Sequence, residues 1–158
     1  MPAIRFVALS TNIVRDYQSG APDANRQIPE RQIAQGSGIP CRHCLQEVTP
    51  GTPYLILAHR PFTHVQPYAE LGPIFLHAEP CQRYEDTIGE IPPMFLSWSR
   101  LLIRGYNHEE RILYGTGEVV QIADLHDRLT ALLAQPEVAF VHIRSATNNC
   151  YQCRVERG

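Results

Sequence analysis

The chain contains no lysine: all 14 basic residues among its 158 are arginine. That excludes Schiff-base and lysine-nucleophile chemistry, which need a deprotonated ε-amine. A basic surplus is also missing. Sixteen acidic residues oppose the arginines for a net charge of -2, and no arginine patch stands out that could neutralise phosphates. Nucleic acid is therefore not an expected partner. Apolar runs are short, so no membrane association is expected either. The opening Met1-Pro2-Ala3-Ile4-Arg5 lacks the charged-then-apolar layout of a signal peptide. These absences lead to the expectation of a soluble, cytoplasmic protein. The oligomeric state stays open, with a homodimer as one possibility.

What is present is a globular balance. Hydrophobic residues make up 44% and charged residues 19%, which excludes wholesale disorder. A chain of this length can bury a core without disulfide staples, and residues 1–158 are expected to form a single domain. Strand patterns cover Ile4–Leu9, Tyr54–His59, Ile74–Ala78, Val138–Arg144 and Cys150–Glu156, with a shorter one near Gln32–Ala34. The stretch Met94–Leu102 is ambiguous between strand and helical turn. Arg111–Tyr114 and Glu118–Ile122 flank Gly115-Thr116-Gly117 and predict a hairpin. One helix stands out at about 124–135, where Leu125, Leu129, Leu132 and Leu133 share a face, Asp124 can cap and Pro136 lies beyond the end. The segment Gly20–Pro40, rich in proline and glycine, predicts a long irregular loop. Segregated strands with one main helix point to an α+β fold with a mixed or largely antiparallel sheet and long irregular loops.

Five cysteines are the wrong number for a closed disulfide framework, and clustered thiols in a reducing compartment point to metal or redox chemistry. Cys41 and Cys44 form a C-x-x-C pair, a spacing at which two thiolates grip one tetrahedral ion from a turn. His77 and Cys81 follow, then a second C-x-x-C at Cys150 and Cys153. On spacing alone Cys41, Cys44, Cys150 and Cys153 make a four-thiolate site. Residues three apart on a strand point to opposite faces, however, and this weighs against Cys150 and Cys153 reaching one ion. His77 and Cys81, four apart, share a face. The preferred metal set is therefore Cys41, Cys44, His77 and Cys81, a composition that suits zinc. Cys150 and Cys153 remain alternative ligands.

Two strings suggest chemistry beyond a structural ion. Pro40-Cys41-Arg42-His43-Cys44 and His77-Ala78-Glu79 resemble, in reversed order, the P-C-x-x-C and H-x-E pieces of the zinc-dependent nucleoside and nucleobase deaminases. That resemblance implies a zinc-activated water with Glu79 moving protons. His43, Arg60, Glu70, His77 and Glu79 would supply an acid, a base and an anion clamp if they converged. The competing reading pairs Arg60 with Glu70, packs Tyr68 and leaves Glu79 at the surface. His142 reads as a satisfied core or rim histidine. Thiol redox work by Cys41 and Cys44 is a third possibility, although Pro40 follows a loop where such a pair would want a strand and a helix.

Longer strings carry a further likeness. Cys41-Arg-His-Cys44-Leu45, Arg60-Pro61-Phe62, the block from Tyr68 to Cys81, and the ending Val141-His142-Ile143-Arg144 through Cys150-Tyr151-Gln152-Cys153-Arg154 resemble the bacterial family catalogued as domain of unknown function 1203. The resemblance runs over essentially the whole chain. It implies a single compact domain from a bacterial cytoplasm, and it brings no catalytic residues with it. The reading that follows is a zinc-binding module with a structural Cys/His site; the alternatives are a zinc- or thiol-dependent enzyme acting on a small polar substrate, or a thiol redox protein.

Overall fold

Alternation of apolar and polar residues sets the strands, and the leucine stripe sets the principal helix. The computed structural model describes residues 3–86 and 88–158. It is an α+β arrangement of two antiparallel sheets. The larger is formed by β1 (Ile4–Val7), β5 (Arg100–Tyr106), β6 (Glu118–Gln121), β7 (Phe140–Ser145) and β8 (Tyr151–Arg157), in the order β1-β8-β7-β5-β6. The smaller is β2 (Glu30–Ile33), β3 (Pro53–His59) and β4 (Gly72–His77), in chain order.

Two cores correspond to the two sheets. Helix α2 (Leu125–Leu133) lays Leu125, Leu129, Leu132 and Leu133 against Leu101, Ile103, Val141, Ile143 and Val155 of the larger sheet. Each fully buried leucine contributes about 2 kcal/mol of burial free energy. On the smaller sheet Leu55, Leu57, Ile74 and Leu76 point one way and meet Val14 of helix α1 (Thr11–Gln18). Phe75 and His77 consequently lie on the other face of β4. Strand β7 is buried along almost its whole length. Its second face is covered by the β3–β4 loop, whose Phe62 ring lies 5.4 Å from Tyr106 and 5.2 Å from His142.

Several local expectations are corrected. Arg111–Tyr114 is not a strand of a hairpin with Glu118–Ile122. Strand β6 pairs with β5 instead, Leu101 opposite Val120. The intervening chain coils around Thr116, whose hydroxyl donates to Leu113 O at 2.6 Å and accepts from Gly105 N at 2.9 Å. Gly105 is needed there, because a Cβ would meet Thr116 Oγ1 at 3.0 Å. Asp124 has helical backbone angles and makes no side-chain cap; one 3-10 turn, Ile122–Asp124, leads into α2. Helix α1 was not expected, since only Val14 of its eight residues is buried and no apolar stripe announces it. Among the described residues no helix is long and apolar enough to cross a membrane.

Candidate metal centre

The first half of the site is a knuckle between β2 and β3. Val48 N donates to Ile39 O at 2.8 Å and Cys41 N to Gln46 O at 2.9 Å, closing a narrow hairpin around Cys41–Cys44. Reversal within so few residues needs one left-handed residue, and Leu45 supplies it at φ 54°. A branched residue there costs about 1–2 kcal/mol. Full burial of the Leu45 side chain in the α2-side core offsets that strain. Backbone bonds then fix the knuckle on three sides. Arg42 N donates to Phe75 O on β4, Leu9 N donates to Arg42 O, and Tyr84 N donates to His43 O.

The second half is the end of β4 and the turn after it. His77 is the last residue of the strand, and the chain reaches Cys81 four residues later. Helix α1 holds this turn from its last helical turn. Gln18 Nε2 donates to His77 O at 2.9 Å and to Glu79 O at 3.0 Å, while Arg15 Nη2 donates to Cys81 O at 3.0 Å.

The two halves converge. One donor atom from each of Cys41, Cys44, His77 and Cys81 lies within 4.8 Å of all the others. Cys41 Sγ and Cys81 Sγ are 3.9 Å apart, and Cys44 Sγ is 3.5 Å from His77 Nδ1. With zinc–sulfur bonds of about 2.3 Å and a zinc–nitrogen bond of about 2.05 Å, a tetrahedron has S–S edges of about 3.8 Å and S–N edges of about 3.6 Å. These two spacings match such edges, and the remaining pairs lie within 4.8 Å. Cys41 and Cys44 are buried and His77 and Cys81 half-buried.

Electrostatics point the same way. The Cys44 and Cys81 thiols, with His77, hold Cys41 well below the usual thiol range. Cys81, beside the Cys41 and Cys44 sulfurs, is pushed up, because a second thiolate in that space is disfavoured. The imidazole of His77 is raised to about 10 by Cys41 and Cys44. Without a cation the cluster therefore retains protons that a divalent ion would displace. Arg42 supplies a counter-charge. It is 2% exposed, its Nε donates to Tyr151 O and its Nη1 to Pro40 O, and among the described residues no carboxylate pairs with it. Burial lowers it to about 10, while the Cys150 and Cys41 sulfurs counteract the drop. Three thiolates and one imidazole on a divalent ion carry a charge of about -1, which the buried guanidinium matches.

His43, another sequence candidate, stands outside the four donors. Its Nδ1 is 3.1 Å from Cys81 Sγ and its Nε2 is 2.9 Å from Thr11 Oγ1. Burial, then the Arg15, Arg83 and His77 charges, lower its pKa against the opposing pull of Cys41. A neutral ring that donates through Nδ1 and accepts the Thr11 hydroxyl at Nε2 satisfies both contacts and orients the Cys81 sulfur.

Other sequence candidates lie elsewhere. Cys150 precedes β8 with its Sγ 3.7 Å from Asn148 O. Cys153 is buried in the α2-side core, its Sγ 3.2 Å from Arg154 O, with burial pushing the thiol up to about 12. Neither joins the four-donor group. Glu79 pairs with Arg31 at 3.3 Å, and both side chains are more than half exposed. Arg60 does not pair with Glu70: its Nε donates to Ala69 O at 3.2 Å, and Glu70 pairs with Arg104 at 2.9 Å. His142 is core, but it is not satisfied, since neither ring nitrogen has a partner among the described residues. Thr11, Arg15 and Gln18 escape sequence reasoning because they sit on the unannounced helix α1, and nothing in their spacing marks them.

The family model described as "Protein of unknown function (DUF1203)" matches residues 38–157. The chain belongs to this family. The matched region contains all four donors, whereas α1, which braces the turn between His77 and Cys81, lies before it. No curated protein and no solved structure matches the chain.

Proposed function

We propose that the protein is a zinc-binding module in which Cys41, Cys44, His77 and Cys81 hold one structural ion, working in the reducing cytoplasm of a bacterium. The observation that carries this reading is the convergence of four donors, from two separate segments, within 4.8 Å of one another, with one S–S and one S–N spacing at the edge lengths of a zinc tetrahedron. Four protein donors leave no open position for a substrate or an activated water, which favours a structural over a catalytic role. Glu79, turned outward to Arg31, is not placed to shuttle protons at this group. The ion would link the knuckle, which feeds Leu45 into one core and Cys41 into the other, to the end of the smaller sheet.

A cobalt(II) titration of metal-free protein tests this. The expected result is intense visible absorption of a tetrahedral thiolate site, saturating at one equivalent and abolished by one equivalent of zinc. Weak octahedral absorption without an endpoint would overturn the reading. Reversible formation of a Cys41–Cys44 disulfide, with no metal taken up, would favour the thiol redox alternative instead.

A further inference from the structure

The larger sheet has a second face, turned away from α2, on which Phe140, His142 and Arg144 of β7 lie beside Arg104 and Tyr106 of β5 and Arg154 of β8. Two of these arginines have carboxylate partners. Arg104 pairs with Glu70 and Arg154 with Glu156. Arg144 has none among the described residues, although it is only 5% exposed. Its Nη1 donates to Asn149 O at 2.9 Å, and its Nε is buried without an acceptor among the described residues.

Arg144 lines a cavity of about 240 Å³ between the β3–β4 loop and the β7–β8 turn, with His59, Glu70, Asn149, Cys150 and Tyr151 also on its wall. At about 30 Å³ per water, this holds roughly eight waters, or a compact organic molecule of similar size. Leu71 and the adjoining prolines give part of the wall an apolar character. Arg144 brings a positive charge to this wall that no carboxylate pairs with among the described residues. The carboxylate on the same wall, Glu70, is already engaged by Arg104. A buried guanidinium with no counter-ion costs several kcal/mol. A ligand carboxylate repays this with charge-assisted hydrogen bonds to the guanidinium, of which only Nη1 is engaged, by Asn149 O, among the described residues.

From the unpartnered, buried Arg144 at the wall of this cavity, we infer that the protein binds a small organic monocarboxylate there, its carboxylate on the Arg144 guanidinium and its apolar body toward Leu71. The site shares no residue with the four-donor group and does not depend on it.

Benzoate, benzamide and inorganic phosphate are the probes, applied to the full-length protein and read by NMR at the Arg144 Nε–Hε resonance and the Gly72, Asn149 and Cys150 amides. The expected result is saturable shifts with benzoate at those positions, and at least tenfold weaker binding of benzamide, which keeps the ring but lacks the charge. Arg144→Gln should lose at least tenfold in benzoate affinity, whereas Arg100→Gln, an exposed arginine, should not. Equal binding of benzoate and benzamide, or unchanged affinity in a folded Arg144→Gln variant, would overturn the inference. Absence of benzoate shifts up to 10-millimolar order, roughly the weakest range of specific binding, would also overturn it. Saturable phosphate binding without benzoate binding would refute the carboxylate assignment. The benzoate–benzamide comparison stands even if Arg144→Gln does not fold.

Discussion

If the ion is structural, zinc binds the folded chain and not the unfolded one, and thermal stability must climb with free zinc. Above the dissociation constant, each tenfold rise in free zinc adds RT ln 10, about 1.5 kcal/mol near 60 °C. A chain of 158 residues unfolds with an entropy of about 0.33 kcal/mol/K, taking about 2.1 cal/mol/K per residue. The melting temperature should therefore rise by about 5 °C for each tenfold increase in free zinc. The assay is calorimetry or circular dichroism in chelator-buffered zinc over three or more decades at fixed pH. Cys41→Ser removes the buried sulfur that contacts both Cys81 and the His77 amide, and it should flatten the line. Cys150→Ser should leave the slope unchanged, because Cys150 lies outside the four-donor group. A wild-type slope below about 1 °C per decade, or a slope abolished by Cys150→Ser, would refute the reasoning.

Two other expectations follow from the same geometry. His59 is buried, bonded through Nδ1 to Tyr17 and near Arg42, and its folded pKa is lowered to about 4, burial being the larger cause and the Arg42 charge the smaller. Its unfolded value is about 6.5, so its contribution is complete above pH 6.5 and is lost as pH falls toward 4. Between pH 7 and 4.5 the loss should be about 2–3 kcal/mol, measured by urea unfolding in a Cys41→Ser background so that zinc release does not contribute. His59→Gln should remove that share, and an unchanged pH slope would contradict it. Leu45→Gly sets two effects against each other. Glycine relieves about 1–2 kcal/mol at φ 54°, but losing a fully buried leucine costs about 2–5 kcal/mol. Net destabilisation of about 2 kcal/mol is expected in urea melts, and a stabilised variant would show that strain outweighs packing.

Legibility in the sequence followed the strength of the local pattern. Tyr54–His59, Ile74–Ala78 and the stripe Leu125, Leu129, Leu132 and Leu133 read directly, because one face of each element carries nearly all its burial. Helix α1 did not, because Val14 alone is buried and Ile13 faces solvent. Two glycines around Thr116 suggested a local hairpin, whereas the pairing that forms, β6 on β5, is decided by burial of Val120 and Leu101 in the α2 core. The grouping of Cys41, Cys44, His77 and Cys81 was legible from spacing, since C-x-x-C and a His–Cys pair four apart each bring two donors to one place. Strand alternation weighed against Cys150 and Cys153 reaching one ion but left them as alternatives; Cys150 in fact precedes β8, and neither joins the four-donor group. The supports were not legible. Thr11, Arg15 and Gln18 come from α1, and the role of Arg42 depends on Tyr151, 109 residues away. The unsatisfied state of His142 also lies beyond local reasoning, because the rings of Phe62, Tyr106, Phe140 and Tyr151 enclose it from four elements of the fold.

The central claim is the identity of the donor set, and X-ray absorption at the zinc edge of protein purified without a histidine tag or chelator reads it most directly. The account predicts one zinc per chain with three sulfurs at about 2.3 Å and one nitrogen at about 2.05 Å, converting to a two-sulfur sphere or to no zinc in Cys81→Ser. Four sulfurs, an oxygen-rich sphere, or protein devoid of zinc with five free thiols would contradict it.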